Sequence, residues 1–324
     1  MKLLGSLAAI FGLALLTGLT AYYGFASVTQ AVASAGWGAV LVILIRAAAL
    51  AAAGIAWWLL LMPVVACAPL PFVGVRFIRE SINFLVPVAL VGGDIIGARL
   101  VNRWAHLGGS LAIASVLIDI FVQVVCLMTF VLVGVAVLAN RAGSNHLIAS
   151  ISMTLAIGVP AVAGFFLALN VGASESLMRR LVAFGERRRW AVFSHVTGLG
   201  GNLQMIWRNH RGLSVSLLVH LAIFFVNAIE VWTALAFMGY PVTYGAAVAI
   251  ESLGQASRAA AIPLPGGLGV QDGTVIAVCV AFGVPAEVAL GLALVKRIPD
   301  LVLGVPSLAA WQALEGRRLL WKQK

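Results

Sequence analysis

Charged residues are scarce in this 324-residue chain, where they make up 10% of the sequence, against roughly 25% in ordinary soluble domains. Hydrophobic residues make up 62%, and the mean hydropathy is +1.06. A soluble domain of this length cannot hide so much apolar surface from water, so the solvent around it must be lipid. The sequence therefore predicts an all-α integral membrane protein, a single polytopic domain over 1–324 with no separate soluble domain.

Motifs of catalysis and of metal binding are also lacking. Cys67, Cys126 and Cys279 lie far apart without CxxC spacing, which argues against a disulfide framework and a metal site. The five histidines show no metal-ligand spacing, no HExxH motif is present, and the glycines match no Walker or Rossmann pattern. We therefore expect no cofactor and no enzymatic activity. An intramembrane lipid-modifying enzyme remains an alternative, although Ser81, Ser252 and Ser257 have no obvious base in the sequence.

Apolar runs long enough to cross a bilayer, about 20 residues, are the most abundant feature. They lie at 3–25, 38–62, 107–139, 147–170 and 213–238. Further apolar segments between 244 and 312 are broken by prolines and glycines. We expect about six spanning helices, and we expect the first run to be a span rather than a cleaved signal peptide.

Arginines are concentrated in the polar stretch 171–212 and at the C-terminus. The positive-inside rule places this loop and both termini on the cytoplasmic side of a bacterial inner membrane. Apolar residues alternate with the arginines, which predicts short amphipathic helices on the anionic leaflet. The loop is too short for a nucleic-acid recognition fold, so nucleic acid is not expected as a partner.

Two segments, 76–103 and 249–274, are too polar and too interrupted for simple spans. Both carry a Glu-Ser pair near their start, followed by a proline, a Gly-Gly pair and an aspartate. In the first segment, Arg76, Arg79, Arg99 and Arg103 flank the apolar part and indicate that both ends are cytoplasmic. Two similar broken segments that enter from opposite faces are typical of an inverted-repeat transporter site. We therefore predict two re-entrant hairpins.

Several charges lie within apolar segments, where each costs at least about 2.5–3.5 kcal/mol at mid-bilayer. Ser115, Asp119 and Gln123 recur at i, i+4 and i+8, so they share one helix face. His220, Asn227 and Glu230 likewise share a face of a later span. These groups predict a polar or internally paired interior, and interhelical hydrogen bonding is the alternative role.

The two broken segments also carry a family resemblance. A signature of one membrane superfamily is matched by Glu251-Ser252, Arg258, Pro263-x-Pro265-Gly266-Gly267-x-Gly269 and Asp272, with Gly283-Val284-Pro285 and Lys296-Arg297 downstream. That superfamily includes the transmembrane region of lysyl-phosphatidylglycerol flippase/synthases. The first segment is most similar to the hopanoid-biosynthesis-associated membrane protein L (HpnL) family, through Glu80-Ser81-Ile82-Asn83, Pro87 and Gly92-Gly93-Asp94. One departure is Asp272, which stands where many relatives have Glu.

Unpaired backbone groups at a helix break suit a charged ligand, and the resemblance implies lipid handling at the same positions. The predicted substrate-binding residues are Glu80, Asn83, Pro87, Gly92, Gly93, Asp94, Glu251, Arg258, Pro263, Pro265, Gly266, Gly267, Asp272 and Arg297. Since the sequence stops at Lys324 without the aminoacyltransferase domain of the fused synthases, we expect no lysyl transfer.

The first functional hypothesis is a flippase-like carrier that moves an amphiphilic lipid, a hopanoid or a phospholipid derivative, between leaflets. The alternative is a non-catalytic scaffold for membrane-lipid (hopanoid) biosynthesis, with 171–212 as its docking surface. The expected partners are accordingly membrane lipids, hopanoid or anionic phospholipid, and in the second case lipid-biosynthesis enzymes. Association into homo-oligomers is left open.

Overall fold

The computed structural model describes residues 30, 33–62, 66–85, 92–142, 198–260 and 269–321, which are almost entirely helical. The helices are α1 (Gly36–Leu61), α2 (Leu70–Leu85), α3 (Gly92–Trp104), α4 (Gly109–Ala142), α5 (Leu199–Arg208), α6 (His210–Phe237), α7 (Tyr244–Ala260), α8 (Val270–Ala281), α9 (Ala286–Val295) and α10 (Ile298–Trp321).

Three of these helices, α1, α4 and α6, are long and apolar enough to cross a membrane. They confirm the predicted spans at 38–62, 107–139 and 213–238. The predicted spans 3–25 and 147–170 lie outside the described residues. Helix α1 ends where Met62 adopts an extended conformation, with ψ of 135°, because the residue before a proline is disfavoured in the helical region.

Each broken segment forms two helices that pack against each other. We call α2 with α3 the first hairpin and α7 with α8 the second hairpin. The helices extend beyond the predicted limits: the first hairpin begins at Leu70 and the second at Tyr244. The connections 86–91 and 261–268, which contain Pro87, Pro263, Pro265, Gly266 and Gly267, lie outside the described residues. Two packed helices thus flank each predicted break, whereas the breaks themselves and their re-entrant depth stay predictions.

The remaining helices hold the two hairpins in place. Helix α1 packs along α6, α7 crosses α4, and α10 packs against α2. Glycines permit these close crossings, as is common between membrane helices. A Cβ on Gly54 of α1 would lie 2.6 Å from Val73 Cα of α2, and one on Gly134 of α4 would lie 1.7 Å from Ser252 Oγ of α7.

The polar stretch predicted as a loop over 171–212 is helical in its last part. Residues 171–197 lie outside the described residues, but α5 occupies Leu199–Arg208 and α6 already begins at His210. Leu203 and Ile206 of α5 are buried in the same apolar core as α4. This part of the stretch therefore packs onto the helical bundle.

Candidate functional site

Asp119, in the first half of α4, is hydrogen-bonded to four side chains. Its Oδ2 lies 2.6 Å from Arg79 Nη1 and 3.1 Å from Arg76 Nη1 of the first hairpin. The same oxygen accepts from Gln123 at 2.8 Å, and Oδ1 lies 3.0 Å from Nε2 of His220 on α6. Asp119 is fully buried, so a single carboxylate joins α2, α4 and α6.

The structure corrects the expected position of Arg76 and Arg79. The sequence places them at the cytoplasmic flank of an apolar segment, but only 6% of Arg76 and 3% of Arg79 is exposed. Both point into the protein because α2 begins at Leu70, which leaves them in the middle of the helix. A buried guanidinium requires a paired carboxylate, and Asp119 provides it.

Four predicted residues of the first hairpin lie around these arginines. Glu80 Oε1 is 2.9 Å from Arg76 Nη2, and Asp94 pairs with Arg79. The backbone N–H of Gly93 donates to Asn83 Oδ1 at 2.9 Å, which satisfies a free donor in the first turn of α3. Gly92 is the first residue of α3.

A side chain at position 93 would not fit. Its Cβ would lie 2.2 Å from the Arg79 carbonyl oxygen. Gly93 is thus required for the close approach of α3 to α2, and with Asn83 it belongs to the frame of the hairpin.

Three of the predicted residues in the second half have ionic partners. Glu251 of α7 is buried and pairs with Lys296, and Gln255 donates to its Oε1 at 2.9 Å. Asp272 Oδ1 lies 3.2 Å from Arg297 Nη2, and its Oδ2 accepts from the N–H of Gly269 at 2.9 Å. Asp272 therefore caps the start of α8 and anchors the segment after α9.

A further ion pair connects α1 to α6. Nε of Arg46 donates to Glu230 Oε1 at 3.0 Å and its Nη2 donates to Oε2 at 2.7 Å, a bidentate arrangement. The sequence predicts Glu230 on an inward polar face, but neither residue is among the predicted substrate-binding positions. Their separation of 184 positions hides the pairing from sequence reasoning.

Arg258 differs from the other arginines of the site. Its guanidinium carbon lies 4.5 Å from the centre of the Phe84 ring, a cation–π contact between the two hairpins. Among the described residues, no carboxylate lies within 4 Å of its nitrogens. Glu80 and Asp300 attract its charge electrostatically without forming an ion pair with it.

Two cavities lie between the hairpins. The α6-side cavity, about 580 Å³ including its open mouth, is bounded by residues of α1, α2, α4, α6 and α7. The α10-side cavity, about 350 Å³ on the same measure, is bounded by α1, α2, α7, α8, α9 and the segment from Lys296 to Asp300. Four residues line both cavities: Arg46, Phe84, Gln255 and Arg258.

The cavity walls carry an excess of positive charge. Five cationic residues line them, Arg46, Arg76, Arg258, Lys296 and Arg297, against the three carboxylates Glu80, Asp272 and Asp300. The partner carboxylates Asp119, Glu230 and Glu251 are buried behind the walls. The walls therefore present cations to whatever enters, although the surrounding network is close to neutral.

Four of the fourteen predicted site residues line the cavities: Glu80, Arg258, Asp272 and Arg297. Two others do not line them but form ion pairs with neighbouring cations, Glu251 with Lys296 and Asp94 with Arg79. Sequence reasoning missed Arg46, Phe84 and Lys296 as site residues. Arg46 and Lys296 could have been recognised in the sequence, since a basic residue inside an apolar run is energetically costly. Phe84 could not have been, because one phenylalanine in a membrane helix is unremarkable in sequence.

Residues 4–306 match the family model described as the lysylphosphatidylglycerol synthase TM region. The chain belongs to this family. The expected superfamily is confirmed, and membership relates the protein to membrane-lipid metabolism. The match does not separate the HpnL subfamily from the rest of the lysylphosphatidylglycerol synthase TM-region family, so that closer kinship stays a prediction. No curated protein and no solved structure matches the chain.

Proposed function

We propose that this protein is a multi-pass lipid carrier of the bacterial inner membrane, which moves an amphiphilic lipid between leaflets. The observation that carries the proposal is the pair of charged cavities between two helical hairpins in a chain that is otherwise apolar. Moving a lipid headgroup across hydrocarbon requires a polar path, because each uncompensated polar group is costly there. The acyl or polycyclic tail needs no such path and remains in the bilayer.

The outer surface of the bundle supports this division. Large apolar side chains point outward on α1, α6 and α10, among them Leu44, Leu218 and Val305. Leu218 is 63% exposed, which is favourable only when lipid surrounds it. A lipid can then place its apolar tail along this apolar surface while its polar headgroup enters a charged cavity.

The serines near the charged residues support translocation over lipid modification. The hydroxyls of Ser81, Ser252 and Ser257 each donate to a carbonyl of their own helix, at 2.6, 3.1 and 2.9 Å. A nucleophilic serine needs a base within hydrogen-bond reach, and these hydroxyls are already engaged by backbone oxygens. A scaffold, in turn, has no need for a cavity with cationic walls.

We further infer that the two hairpins are related as an inverted repeat and approach the cavities from opposite faces, with both termini cytoplasmic. Their corresponding helices, α2 and α7, both carry a glutamate that pairs with a basic residue at the cavities, Glu80 with Arg76 and Glu251 with Lys296. Binding charged groups between two such repeats is the usual arrangement in secondary transporters.

Reconstitution into vesicles tests the carrier. A lipid with a fluorescent tail is placed in both leaflets, and a membrane-impermeant quencher is added outside. With the protein present, we expect quenching to continue beyond the outer-leaflet share as inner-leaflet lipid emerges. A scaffold predicts that quenching stops at the outer-leaflet share, as in empty vesicles.

A matched pair of variants ties movement to the cavity. Ala53 of α1 lines the α6-side cavity, whereas Ala48, on the same helix, is exposed on the outer surface. Ala53→Phe should slow lipid movement because the larger side chain occupies the cavity, and Ala48→Phe should not. Equal rates for both variants and the wild type would contradict passage through this cavity.

A further inference from the structure

Each of the other cations on the cavity walls has a carboxylate partner among the described residues. Arg76 pairs with Glu80 and Asp119, Arg46 with Glu230, Lys296 with Glu251, and Arg297 with Asp272. Arg258 instead rests on the ring of Phe84. Its five N–H donors therefore have no acceptor in the part of the chain that the structure describes, although the residue is half-buried.

The position of Arg258 between the two cavities also makes it accessible to a ligand. It lines both cavities, together with Arg46, Phe84 and Gln255, so it lies where the two cavities meet. A cation–π contact at a partly exposed site is a weak interaction. A charge-assisted bond to an oxyanion is stronger than a neutral hydrogen bond and satisfies several donors at once. An oxyanion in the cavity can therefore draw the guanidinium away from Phe84.

The α6-side cavity is the better place for such an anion. Its walls hold Arg46, Arg76 and Arg258 with a single carboxylate, Glu80, which is already paired. The α10-side cavity holds four cations, but it also holds Asp300, which has no cation within 4 Å among the described residues and would repel an anion there; its other carboxylate, Asp272, is paired with Arg297. Asn227 also lines the α6-side cavity; the residue is only 8% exposed, and its Oδ1 is buried without a hydrogen-bond partner. A headgroup hydroxyl would provide the missing donor.

We propose that Arg258 is the headgroup-binding residue of the carrier and that its ligand is an oxyanion, in practice a lipid phosphate. The lipid moved is therefore a phosphate-bearing lipid rather than a neutral polyhydroxylated one. Phosphate accepts bonds from the planar guanidinium in a bidentate arrangement, whereas a neutral hydroxyl offers no charge to compete with the Phe84 ring. This inference rests on the proposed function, since it names the headgroup that enters the carrier's cavity.

Equilibrium binding to the purified full chain in neutral detergent tests the proposal. The probes are a short-chain phospholipid, the diacylglycerol with the same chains, and inorganic phosphate. We expect the phospholipid to bind at least about tenfold more tightly than the diacylglycerol, as for the gain of a hydrogen bond to a charged group. Equal affinity for these two lipids would overturn the proposal. Binding of inorganic phosphate without binding of the phospholipid would show a small-anion site and would also overturn it.

Three variants locate the effect. Arg258→Gln should weaken phospholipid binding roughly 10- to 100-fold and leave diacylglycerol binding unchanged. Arg258→Lys should recover part of the affinity, because an ammonium keeps the charge but loses the bidentate fork. Arg211→Gln removes an exposed arginine from the start of α6 and should bind as the wild type does. Unchanged phospholipid affinity in Arg258→Gln would overturn the assignment, and the wild-type comparison of lipids decides the matter if that variant fails to fold.

The binding assay and the vesicle assay can contradict the phosphate site and the carrier function independently. Phospholipid binding that depends on Arg258, in a protein that does not move lipid, would overturn the proposed carrier and leave the phosphate site standing. Lipid movement at equal rates for phosphate-bearing and neutral lipids would leave the carrier standing and overturn the phosphate site.

Discussion

The guanidinium of Arg258 and the ring of Phe84, 4.5 Å apart, join the second hairpin to the first at the junction of the two cavities. The contact lies where a headgroup would pass from one cavity to the other. It also involves an arginine with no carboxylate within 4 Å among the described residues, which makes it easier to open than the ion pairs around it. Opening this contact would free the guanidinium beside both cavities without breaking an ion pair.

Phe84→Leu should strengthen phospholipid binding and speed lipid movement. Leucine keeps an apolar side chain of similar length but removes the ring face, so Arg258 no longer has to leave a cation–π contact worth about 0.5–2 kcal/mol. The binding assay and the vesicle assay measure the two effects. Phe84→Trp is the matched opposite, since tryptophan offers the best ring face, and it should weaken binding. The same affinity in all three proteins would exclude a role for the ring.

Asp119→Asn should destabilise the protein by about 3–5 kcal/mol, because Arg76 and Arg79 would lose a buried compensating charge. Thermal unfolding in detergent, followed by the loss of the monodisperse peak in size-exclusion chromatography, measures the effect. Glu287→Gln is the control, since Glu287 is exposed at the start of α9. A similarly small effect of both substitutions would mean that Asp119 does not hold the bundle together.

The buried pair of Lys296 and Glu251 should show strong coupling. Glu251→Gln or Lys296→Met alone leaves one uncompensated charge and should cost about 3–5 kcal/mol. The double variant removes both charges and should recover most of the loss, which a double-mutant cycle measures in the same unfolding assay. Additive losses would show that the two side chains do not compensate each other.

Gly134→Ala should destabilise the crossing of α4 and α7, because the added Cβ would meet Ser252 Oγ at 1.7 Å. Ser252→Gly should restore part of the stability in the Gly134→Ala background. Gly245→Ala is the control, since its Cβ would lie 3.5 Å from Val137, an ordinary contact. Thermal unfolding of the four proteins tests the crossing, and unchanged stability of Gly134→Ala would contradict it.

Labelling of single cysteines tests the proposed topology across α6. Gln204 on α5 and Tyr240 after α6 are both exposed, and α6 lies between them. In a background without Cys67, Cys126 and Cys279, an impermeant thiol reagent added to intact cells should label Tyr240→Cys and not Gln204→Cys. The reverse pattern would place α5 outside the cell and invert the orientation.

Hydropathy was sufficient to predict the fold class and the three described spans, because lipid solvent imposes a length and a composition on each span. The helix–break–helix segments were also predictable, since prolines and glycines mark their interruptions in sequence. The partners of the embedded charges were not. Arg46 finds Glu230 184 positions away, and no local pattern connects them.

The error at Arg76 and Arg79 has a related cause. An arginine near the end of an apolar run is usually a topology signal. These two became interior residues because α2 begins several residues earlier and because α4 supplies Asp119 opposite them. Asp119, the carboxylate that allows both arginines to be buried, lies 40 positions beyond Arg79, so the local sequence cannot reveal it.

The arrangement around Asp119 also has a consequence for how the protein is made. Arg79 leaves the ribosome 40 residues before Asp119, and His220 follows Asp119 by 101 residues. Until α4 enters the bilayer, the arginines of α2 have Glu80 and Asp94 of their own hairpin as partners but lack the buried carboxylate of Asp119, so they gain by staying at the aqueous surface. We therefore expect an order of assembly in which α2 takes its final position only after α4 has been inserted, and in which α6 adds His220 last.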